Sequence, residues 1–376
     1  MCLGRTVIAP RLEIDLDAIA HNARTLVDLL APKGIRVTGV SKAALGSPGV
    51  ASAMLRGGVT GLGESRVENL ARLRTAGIVA LLTLIRSPMM SQVDRVVRDA
   101  DVSLNTEALV LDALSATAVR WRTTHAVILM VELGDLREGV AAEDVVDLAR
   151  TVGQRPGLTL AGLGTNLACQ NGITPDQHKM DELSRLVEQV EAACGVDLSI
   201  VSGGNSANLD WAMATRDVGR INELRLGESI LLGTEALHRR VIDGLRTDAF
   251  TLVAEVIEAR EKPVQPWGVG AQSAFGERSR RTGVGTVRQA ILALGRQDVD
   301  TGGLTPPNGI TILGASSDHL VVDAGDHAVS VGDEVAFQLD YGALTTAMTS
   351  PSAVKVERSA APVNARPPPG SGVDVA

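Results

Sequence analysis

One lysine of the chain stands where its amine could do chemistry. Lys42 follows the short apolar run Val37-Thr38-Gly39-Val40, and the small-residue stretch Ala43-Ala44-Leu45-Gly46 comes after it. This pattern predicts a β-strand, the lysine at its end, and a turn that projects the amine outward. A lysine in such a place is more often a solvated surface charge. The remainder of the chain must therefore decide between a catalytic and a surface role.

Three further groups of polar residues follow strand-like runs. Gly203-Gly204-Asn205-Ser206 could hold a phosphate, because glycines allow close backbone approach and Ser206 offers a hydroxyl; the alternative is an ordinary turn. Arg225 could face a ligand or form a salt bridge with Glu223 or Glu228. Arg137 suits a bidentate grip on a carboxylate, or a structural pair with Asp135 or Glu138.

The elements that would position these residues alternate between strands and helices. The opening strand is Arg11–Leu16 and the first helix Asp17–Leu30; the best-defined helix is Asp176–Ala193, with an apolar stripe that belongs to core packing. Eight strands separated by helix-length segments predict a closed (β/α)₈ barrel in which Lys42 ends the first strand and all strand ends share one face. The eight are Val37–Val40, Val59–Gly63, Val79–Ile85, Asp101–Leu104, Ala126–Glu132, Leu158–Gly164, Leu198–Ser202 and Glu223–Leu226.

The pattern changes near residue 247 to β-rich sequence with frequent glycine, which predicts a second domain. We expect the barrel domain, including its N-terminal strand, to occupy residues 1–247, a C-terminal β-domain 248–358, and a disordered Pro- and Gly-rich tail 359–376. The expected strands of the β-domain are Phe250–Glu258, Ala290–Gly295, Ile310–Gly314, His319–Val322 and Glu334–Leu339.

Composition narrows the range of partners. The 376 residues carry a formal net charge of −8 with both signs interspersed, which argues against a nucleic acid or an anionic membrane and favours a small-molecule ligand. Three distant cysteines, Cys2, Cys169 and Cys194, favour a reducing compartment, so we expect a cytoplasmic protein. No run reaches membrane-spanning length.

Several stretches, in order and at strand ends, together resemble the fold-type III pyridoxal-phosphate (PLP) enzymes, the alanine racemase family, and within it the branch of ornithine racemases. The similarity covers nearly everything from Arg11 to Pro351. Besides the lysine, it rests on Gly134-Asp135-Leu136-Arg137-Glu138-Gly139, Gly164-Thr165-Asn166-Leu167, Ser202-Gly203-Gly204-Asn205-Ser206, Leu224-Arg225-Leu226-Gly227, Gly295-Arg296-Gln297-Asp298, Gly314-Ala315-Ser316-Ser317-Asp318-His319 and Asp340-Tyr341-Gly342-Ala343.

The resemblance implies PLP as cofactor and gives roles to these residues. Lys42 would hold PLP covalently and, once freed by the substrate amine, act as base on one face of Cα. Arg225 would face the pyridine nitrogen, which favours racemisation over decarboxylation. The other cofactor-binding residues would be Arg137, Asn166, Asn205, Ser206, Gly227 and Tyr341. No metal site is expected.

The tyrosine that alanine racemases use as second base is absent from its expected place. The corresponding motif reads Gly295-Arg296-Gln297-Asp298, and Tyr341, the chain's one tyrosine, matches a phosphate contact instead. Arginine stays protonated and is a poor base. Four residues remain as alternatives for the second acid: Cys169, Asp298, Ser317 and His319. Cys169 and His319 could equally have only structural roles.

The predicted substrate is a basic amino acid, ornithine or lysine. Asp318 resembles the aspartate that binds the distal end of the substrate in related decarboxylases, where the partner subunit supplies it; a turn capped by Asp318 is the alternative. We expect Arg137, Arg296, Asp298 and Asp318 to contact substrate and the protein to be a homodimer with shared sites. The alternatives are an alanine or broad-spectrum racemase, a D-amino-acid lyase or decarboxylase, and a non-catalytic PLP-homeostasis protein.

Overall fold

The computed structural model describes residues 8–276 and 282–360. Cys2 and the greater part of the predicted tail, from residue 361 onward, lie outside the described residues. The first element is strand β1 (Arg11–Asp15), and Asp15 caps helix α1 by accepting hydrogen bonds from the amides of Asp17 and Ala18, both at 2.9 Å. A carboxylate at this position satisfies amides that have no partner within the helix.

Eight parallel strands follow and close on themselves. Strand β9 pairs with β2, which completes the ring and confirms the predicted (β/α)₈ barrel. Strands of such a ring are covered on both faces, and β6 accordingly reads as an almost unbroken apolar run. The strands are β2 (Arg36–Val40), β3 (Gly61–Glu64), β4 (Leu81–Leu84), β5 (Val102–Asn105), β6 (His125–Val131), β7 (Leu158–Thr165), β8 (Ile200–Ser202) and β9 (Glu223–Leu226).

Helices surround the ring. The predicted stripe is present in α7, whose buried face includes Met180, Leu183 and Val187 and whose N-cap is Asp176. Burial of such stripes against the strands supplies most of the stabilisation of amphipathic helices. The helices up to the end of the barrel are α1 (Leu16–Leu30), α2 (Pro48–Arg56), α3 (Val67–Thr75), α4 (Val93–Asp99), α5 (Ala108–Trp121), α6 (Val145–Gly153), α7 (Gln177–Cys194), α8 (Leu209–Ala214) and α9 (Glu228–Leu232).

The barrel interior is filled by aliphatic side chains from alternate positions of neighbouring strands. Val102 and Leu104 of β5, Ile128 and Met130 of β6, and Ile200 of β8 form a cluster separate from the larger core between strands and helices. Alternation by two residues directs these side chains to one face of each strand. The interior is thus packed, and chemistry is left to the rim where the strands end.

A second sheet follows the barrel. It consists of β10 (Phe250–Pro263), β11 (Thr286–Leu292), β12 (Leu304–Thr305), β13 (Thr311–Ala315), β14 (Leu320–Asp323), β15 (Glu334–Leu339) and β16 (Val354–Arg358), with helix α10 (Tyr341–Thr349) between the last two strands. Strand β9 ends before the expected boundary at residue 247 and β10 begins after it. The boundary itself stays a prediction.

Strand β1 differs from expectation in its partners. We grouped it with the barrel, but it pairs antiparallel with β10 and parallel with β16, so its hydrogen bonds belong to the second sheet. Leu12 and Ile14, on one face of β1, are fully buried there. The second sheet therefore contains strands from both ends of the described chain, and the barrel lies between them in the sequence. Pairing between segments more than 200 residues apart leaves no local pattern in the sequence.

A substitution at Gly162 of β7 would test the close packing between neighbouring barrel strands. A Cβ at this position would lie 1.8 Å from the backbone oxygen of Ile200 in β8. We expect Gly162→Ala to lower the free energy of unfolding by about 3 kcal/mol, because the backbone of β8 must shift. Gly153, the last residue of α6, has nothing within 4 Å of such a Cβ. Gly153→Ala should leave stability unchanged or raise it by up to about 1 kcal/mol, and equal urea midpoints for the two variants would contradict this packing.

Candidate active site

A cavity of about 410 Å³ opens at the carboxyl ends of the barrel strands. It collects predicted site residues from five separate strand ends and from the second domain, because parallel strands in a closed ring all end at one rim. The predicted residues that line it are Lys42, Arg137, Asn166, Cys169, Asn205, Ser206, Arg225, Gly227 and Tyr341.

Lys42 begins a 3₁₀ turn, Lys42–Ala44, two residues beyond the end of β2. Burial of the amine lowers the pKa of Lys42, and the positive charges of Arg137 and Arg225 act in the same direction, whereas Cys169 and Glu64 oppose them. A lysine with a lowered pKa has a larger neutral fraction near neutrality. It is then both a nucleophile and a base.

Glu64 is a residue that the sequence analysis missed. It ends β3, is fully buried, and accepts hydrogen bonds from the hydroxyl of Ser41 at 2.7 Å and the amide of Asn69 at 2.9 Å. Burial raises the pKa of Glu64, against these hydrogen bonds and the charge of Lys42. Because Ser41 immediately precedes Lys42, the carboxylate holds the backbone from which the lysine projects. Our predicted strand stopped at Gly63, one residue short of it.

Arg225 lies inside the barrel and is only 4% exposed. Its guanidinium donates to the carbonyl of Thr165 at 2.7 Å and to the hydroxyl of Ser202, which in turn donates to Glu223 at 2.8 Å. Burial lowers the pKa of Arg225 and the charge of Glu223 opposes this effect. The arginine is thus held by a chain of hydrogen bonds through Ser202, and the alternative partner Glu228 pairs instead with Arg239.

Arg137 forms a two-point ion pair with Glu138, the structural alternative that its neighbours suggested. Burial would lower the pKa of Arg137, but these hydrogen bonds raise it. Asp135, the other suggested partner, is buried and accepts hydrogen bonds from the amides of Cys169 at 3.1 Å and Gln170 at 2.9 Å. Asp135 therefore shapes the loop that carries Cys169.

The loops after β7 and β8 are joined by Asn205. Its side-chain amide donates to the carbonyl of Leu167 at 2.8 Å and to the side-chain oxygen of Asn166 at 3.1 Å, and it lies 3.5 Å from the sulfur of Cys169. The side-chain nitrogen of Asn166 is buried and has no hydrogen-bond acceptor among residues 8–276 and 282–360. A buried donor of this kind needs an acceptor, and the cavity it lines is where a ligand could provide one.

Ser206 is the centre of a group of small donors after β8 and β9. Its hydroxyl lies 3.0 Å from that of Ser229 and accepts from the amides of Gly227 at 3.4 Å and Ser229 at 3.3 Å. Gly204, at φ +141°, leaves no room for a Cβ, which would lie 2.1 Å from the side chain of Asn208. Ser206 and Gly227 also line the cavity, and the amide hydrogen bonds to the Ser206 hydroxyl are long, so an anion at this point could replace the hydroxyl as their acceptor. We call Ser206, Gly227 and Ser229 the donor cradle.

Tyr341 brings the second domain into the cavity. It is the first residue of α10, which Asp340 caps by accepting from the amide of Ala343 at 2.8 Å, and α10 packs against the turn that begins at Lys42. Burial raises the pKa of Tyr341, and the negative charge of Glu228 adds to the effect. The phenol therefore stays neutral and can donate a hydrogen bond.

Glu228 and Arg239 also line the cavity, and neither was proposed as a ligand contact from sequence. Glu228 directly follows Gly227, and its Oε1 lies 3.0 Å from Nη1 of Arg239. Burial raises the pKa of Glu228 to about 7, and Arg239 limits the rise. The motif around Gly227 could have directed attention to Glu228, whereas Arg239 belongs to a loop with no pattern of its own.

Five predicted residues do not line this cavity. Arg296, Asp298, Ser317, Asp318 and His319 lie together in one group of turns of the second domain, where the amides of Arg296 and Gln297 donate to the carbonyls of Ser316 and Ser317. Arg296 stacks over Phe275 at 4.5 Å. His319 lies 2.8 Å from Asp318, and Asp298 is buried and accepts from the amide of Gly295 at 2.9 Å. Within one chain, their predicted roles have no support from contact with the cavity.

Residues 8–276 and 282–360 contain no group of three or more His, Cys, Asp or Glu side chains that could hold a metal ion. None of the described helices combines the length and apolar character needed to cross a membrane.

Comparison with known proteins gives long matches. Residues 14–235 match the family model described as alanine racemase, N-terminal domain. A lysine racemase from Thermotoga maritima is 38% identical over 353 residues, which cover 93% of this chain and 99% of the relative. An ornithine racemase from Acetoanaerobium sticklandii is 34% identical over 345 residues, 91% of this chain and 97% of the relative.

Solved structures share the two-domain fold. The alanine racemase from D-cycloserine-producing Streptomyces lavendulae superimposes with a TM-score of 0.75 at 20% identity and covers 94% of this chain and 98% of its own. The D-threonine aldolase from Filomicrobium marinum gives a TM-score of 0.71 at 18% identity, over 94% of this chain and 92% of its own. At these identities the similarity establishes the fold alone.

The negative charge of Glu64 should have a measurable effect on the pKa of Lys42. Because a buried carboxylate raises the pKa of the amine, we expect Glu64→Gln to lower it further. The readout is the pH dependence of Lys42 labelling by an amine reagent in cofactor-free protein, followed by mass spectrometry, with Lys179 as internal reference. The midpoint for Lys42 should move to lower pH. Glu68→Gln, which removes an exposed acid from α3, is the matched control, and an equal shift in both variants would contradict a specific effect of Glu64.

Proposed function

The chain belongs to the alanine racemase family, and from that premise we propose that it is a PLP-dependent racemase that interconverts the L and D forms of a basic amino acid, ornithine or lysine. The observation that carries the proposal is the meeting of Lys42, Arg225 and two residues of the donor cradle, Ser206 and Gly227, in one cavity. A basic substrate is supported by the near full-length similarity of the chain to a lysine racemase and an ornithine racemase.

The residues present fit PLP. Lys42 offers a buried amine with a lowered pKa, and the donor cradle with Tyr341 offers hydroxyl and amide donors to a phosphate. Asn166 contributes a buried donor that lacks an acceptor among the described residues. Asn205 fixes Asn166, and the buried Arg225 lines the same cavity. When bound, PLP supplies an electron sink that makes the Cα hydrogen of an amino acid acidic.

Lys42 acts as base on one face of Cα. Its amine takes the proton, and its lowered pKa keeps a fraction of the amine unprotonated for this task. Arg225, fixed by Thr165 and Ser202, remains protonated and opposes protonation of any basic nitrogen beside it. This environment favours return of a proton to the same carbon. Arg137, already paired with Glu138, is available to orient the substrate carboxylate.

We assign the second proton transfer to Cys169. Of the four residues left open by the sequence, it is the one that lines the cavity of its own chain, and the sulfur lies 3.5 Å from the side-chain nitrogen of Asn205. Its thiol gives a proton to the face opposite Lys42 and becomes a thiolate, while Lys42 holds the proton that it removed. In the reverse direction, the thiolate takes the proton and the ammonium of Lys42 returns one.

The assembly and location of the protein are further proposals. In a homodimer, as the family resemblance implies, the turns that carry Arg296, Asp298, Ser317, Asp318 and His319 would approach the cavity of the other subunit and could bind the distal ammonium of the substrate. An exposed Asp318, held by His319, is available for such a contact. The spacing of the three cysteines, which favours a reducing compartment, supports a cytoplasmic location.

The test incubates L-ornithine, L-lysine, L-arginine and L-alanine with the holoenzyme in heavy water and follows optical rotation and Cα deuteration. We expect both enantiomers of ornithine or lysine to appear with deuterium at Cα, at a kcat/KM at least about 100-fold above that for alanine. Equal use of alanine would make this a broad-spectrum racemase. Loss of the carboxylate, or cleavage to glycine and an aldehyde, would identify a decarboxylase or a lyase and would contradict the proposal.

Cys169→Ala separates the two proton transfers in the same experiment. With its base intact, the variant should still exchange the Cα hydrogen of one enantiomer, while interconversion falls by about 100-fold or more. Cys194→Ala, at a cysteine outside the cavity, is the matched control and should behave as wild type. Full interconversion by Cys169→Ala would remove Cys169 from the mechanism and leave the racemase assignment untouched.

A further inference from the structure

The loop between α9 and β10 is built to present Arg239 to the cavity. A bridge between Thr234 and Val241 closes the loop. Inside it, the buried carboxylate of Glu235 accepts hydrogen bonds from the amides of Leu237 at 2.6 Å, His238 at 2.9 Å and Arg240 at 3.0 Å. Such a carboxylate organises the loop much as a helix cap organises a first turn.

Arg239 is held in an unfavourable backbone conformation at the tip of this loop. Its φ of +59° is in the left-handed region that residues with a Cβ usually avoid. The side chain turns back over the cavity, where it donates to the carbonyl of Ala236 and lies 3.0 Å from Glu228. Strained residues that are fixed by their surroundings occur preferentially at functional sites. The backbone conformation and the cavity position of Arg239 therefore indicate a functional contact and not only a surface charge.

The position of Glu228 brings Arg239 close to the donor cradle. Glu228 is the next residue after Gly227, and its carboxylate contacts the guanidinium of Arg239, so one side chain connects Arg239 to the cradle. Oε1 of Glu228 is buried, and no hydrogen bond to it is present among the described residues, although the ion-pair distance is short. The pair is thus a poorly oriented contact. A better-placed anion could take the guanidinium from it.

A dianion in the cradle needs a cation, and the other cations of the cavity are committed or distant. The cradle itself and Tyr341 offer neutral donors. Lys42 is reserved for the aldehyde of the cofactor, and Arg225 is held by Thr165 and Ser202. Arg137 follows β6, which is not adjacent to β8 or β9 in the ring. Arg86 follows β4, which is not adjacent to β8 or β9 in the ring. Of the described residues that line the cavity, Arg239 is the cation that the fold brings to the phosphate end.

We propose that Arg239 binds the phosphate of the cofactor, its guanidinium exchanging Glu228 for phosphate oxygens. A planar guanidinium forms two parallel hydrogen bonds with phosphate, which its contact with Glu228 does not provide. This inference rests on the proposed function, because it requires PLP in the cavity. Glu228 is then a positioning residue that holds Arg239 over the cradle until the cofactor arrives.

The test compares two probes that differ only by the phosphate group. Cofactor-free wild type, Arg239→Ala and Arg239→Lys are titrated with PLP and with pyridoxal, and absorbance of the lysine-linked aldehyde gives each Kd. We expect Arg239→Ala to weaken PLP by about 10-fold or more and to leave pyridoxal within about 2-fold of wild type. Arg239→Lys should recover part of the loss, because charge is kept without the planar fork.

Arg240→Ala is the matched control. Arg240 is the next residue, carries the same charge, and pairs with Asp210 and Glu235 outside the cavity lining. It should leave both dissociation constants unchanged. Equal losses for PLP and pyridoxal in Arg239→Ala, no loss in either, or the same loss in Arg240→Ala would overturn the inference while PLP binding by wild type still supports the proposed function. A wild type that binds neither probe would overturn both.

Discussion

Burial of a lysine amine at the rim of a closed barrel is the constraint on which the rest of the site depends. An amine that leaves water loses the solvation of its charged form, and two arginines nearby add to the cost of that form. The charge is not abolished, because Glu64 and Cys169 favour it. The balance leaves the pKa of Lys42 below that of an exposed lysine amine, which suits the role proposed for it.

The barrel meets this constraint with hydrogen bonds that fix each charge separately. Glu64 is held by Ser41 and Asn69, and Arg225 by Thr165 and Ser202. These hydrogen bonds hold the carboxylate and the guanidinium at separate points around Lys42. The second domain contributes Tyr341 at the start of α10, next to the turn of the lysine. Strand β1, which precedes the barrel in the sequence, pairs with β10 and β16, which follow it, so the chain passes between the two domains both before and after the barrel.

The sequence alone revealed the parts of the site that follow from strand ends. Lys42, Ser206, Arg225 and Gly227 come at or just after apolar runs, and parallel strands in a ring bring such positions to one rim. Glu64 escaped because the predicted strand ended one residue early, and strand limits are the least certain part of any such prediction. Strand β16 was not predicted for a different reason. It pairs with β1, which lies at the opposite end of the chain, and such pairing leaves no local pattern.

Other features depend on contacts that no local pattern records. Arg239 reaches the cavity because Glu235 organises its loop. Helix α10 begins where Asp340 caps a segment whose Gly and Thr residues lower its helical preference. Asp318, a predicted substrate contact, and His319, a candidate for the second acid, lie on the second domain and do not line the cavity of their own chain. Only a second subunit could bring them to a site, and a single sequence carries no record of that geometry.

The central claim is that Lys42 is the residue that binds the cofactor. The most direct measurement is reduction of the PLP-loaded protein with borohydride, followed by digestion and mass spectrometry. We predict one phosphopyridoxyl group per chain, on the peptide that contains Lys42, and none after Lys42→Arg. A label on Lys33, Lys179, Lys262 or Lys355, or a label that survives in Lys42→Arg, would contradict the account.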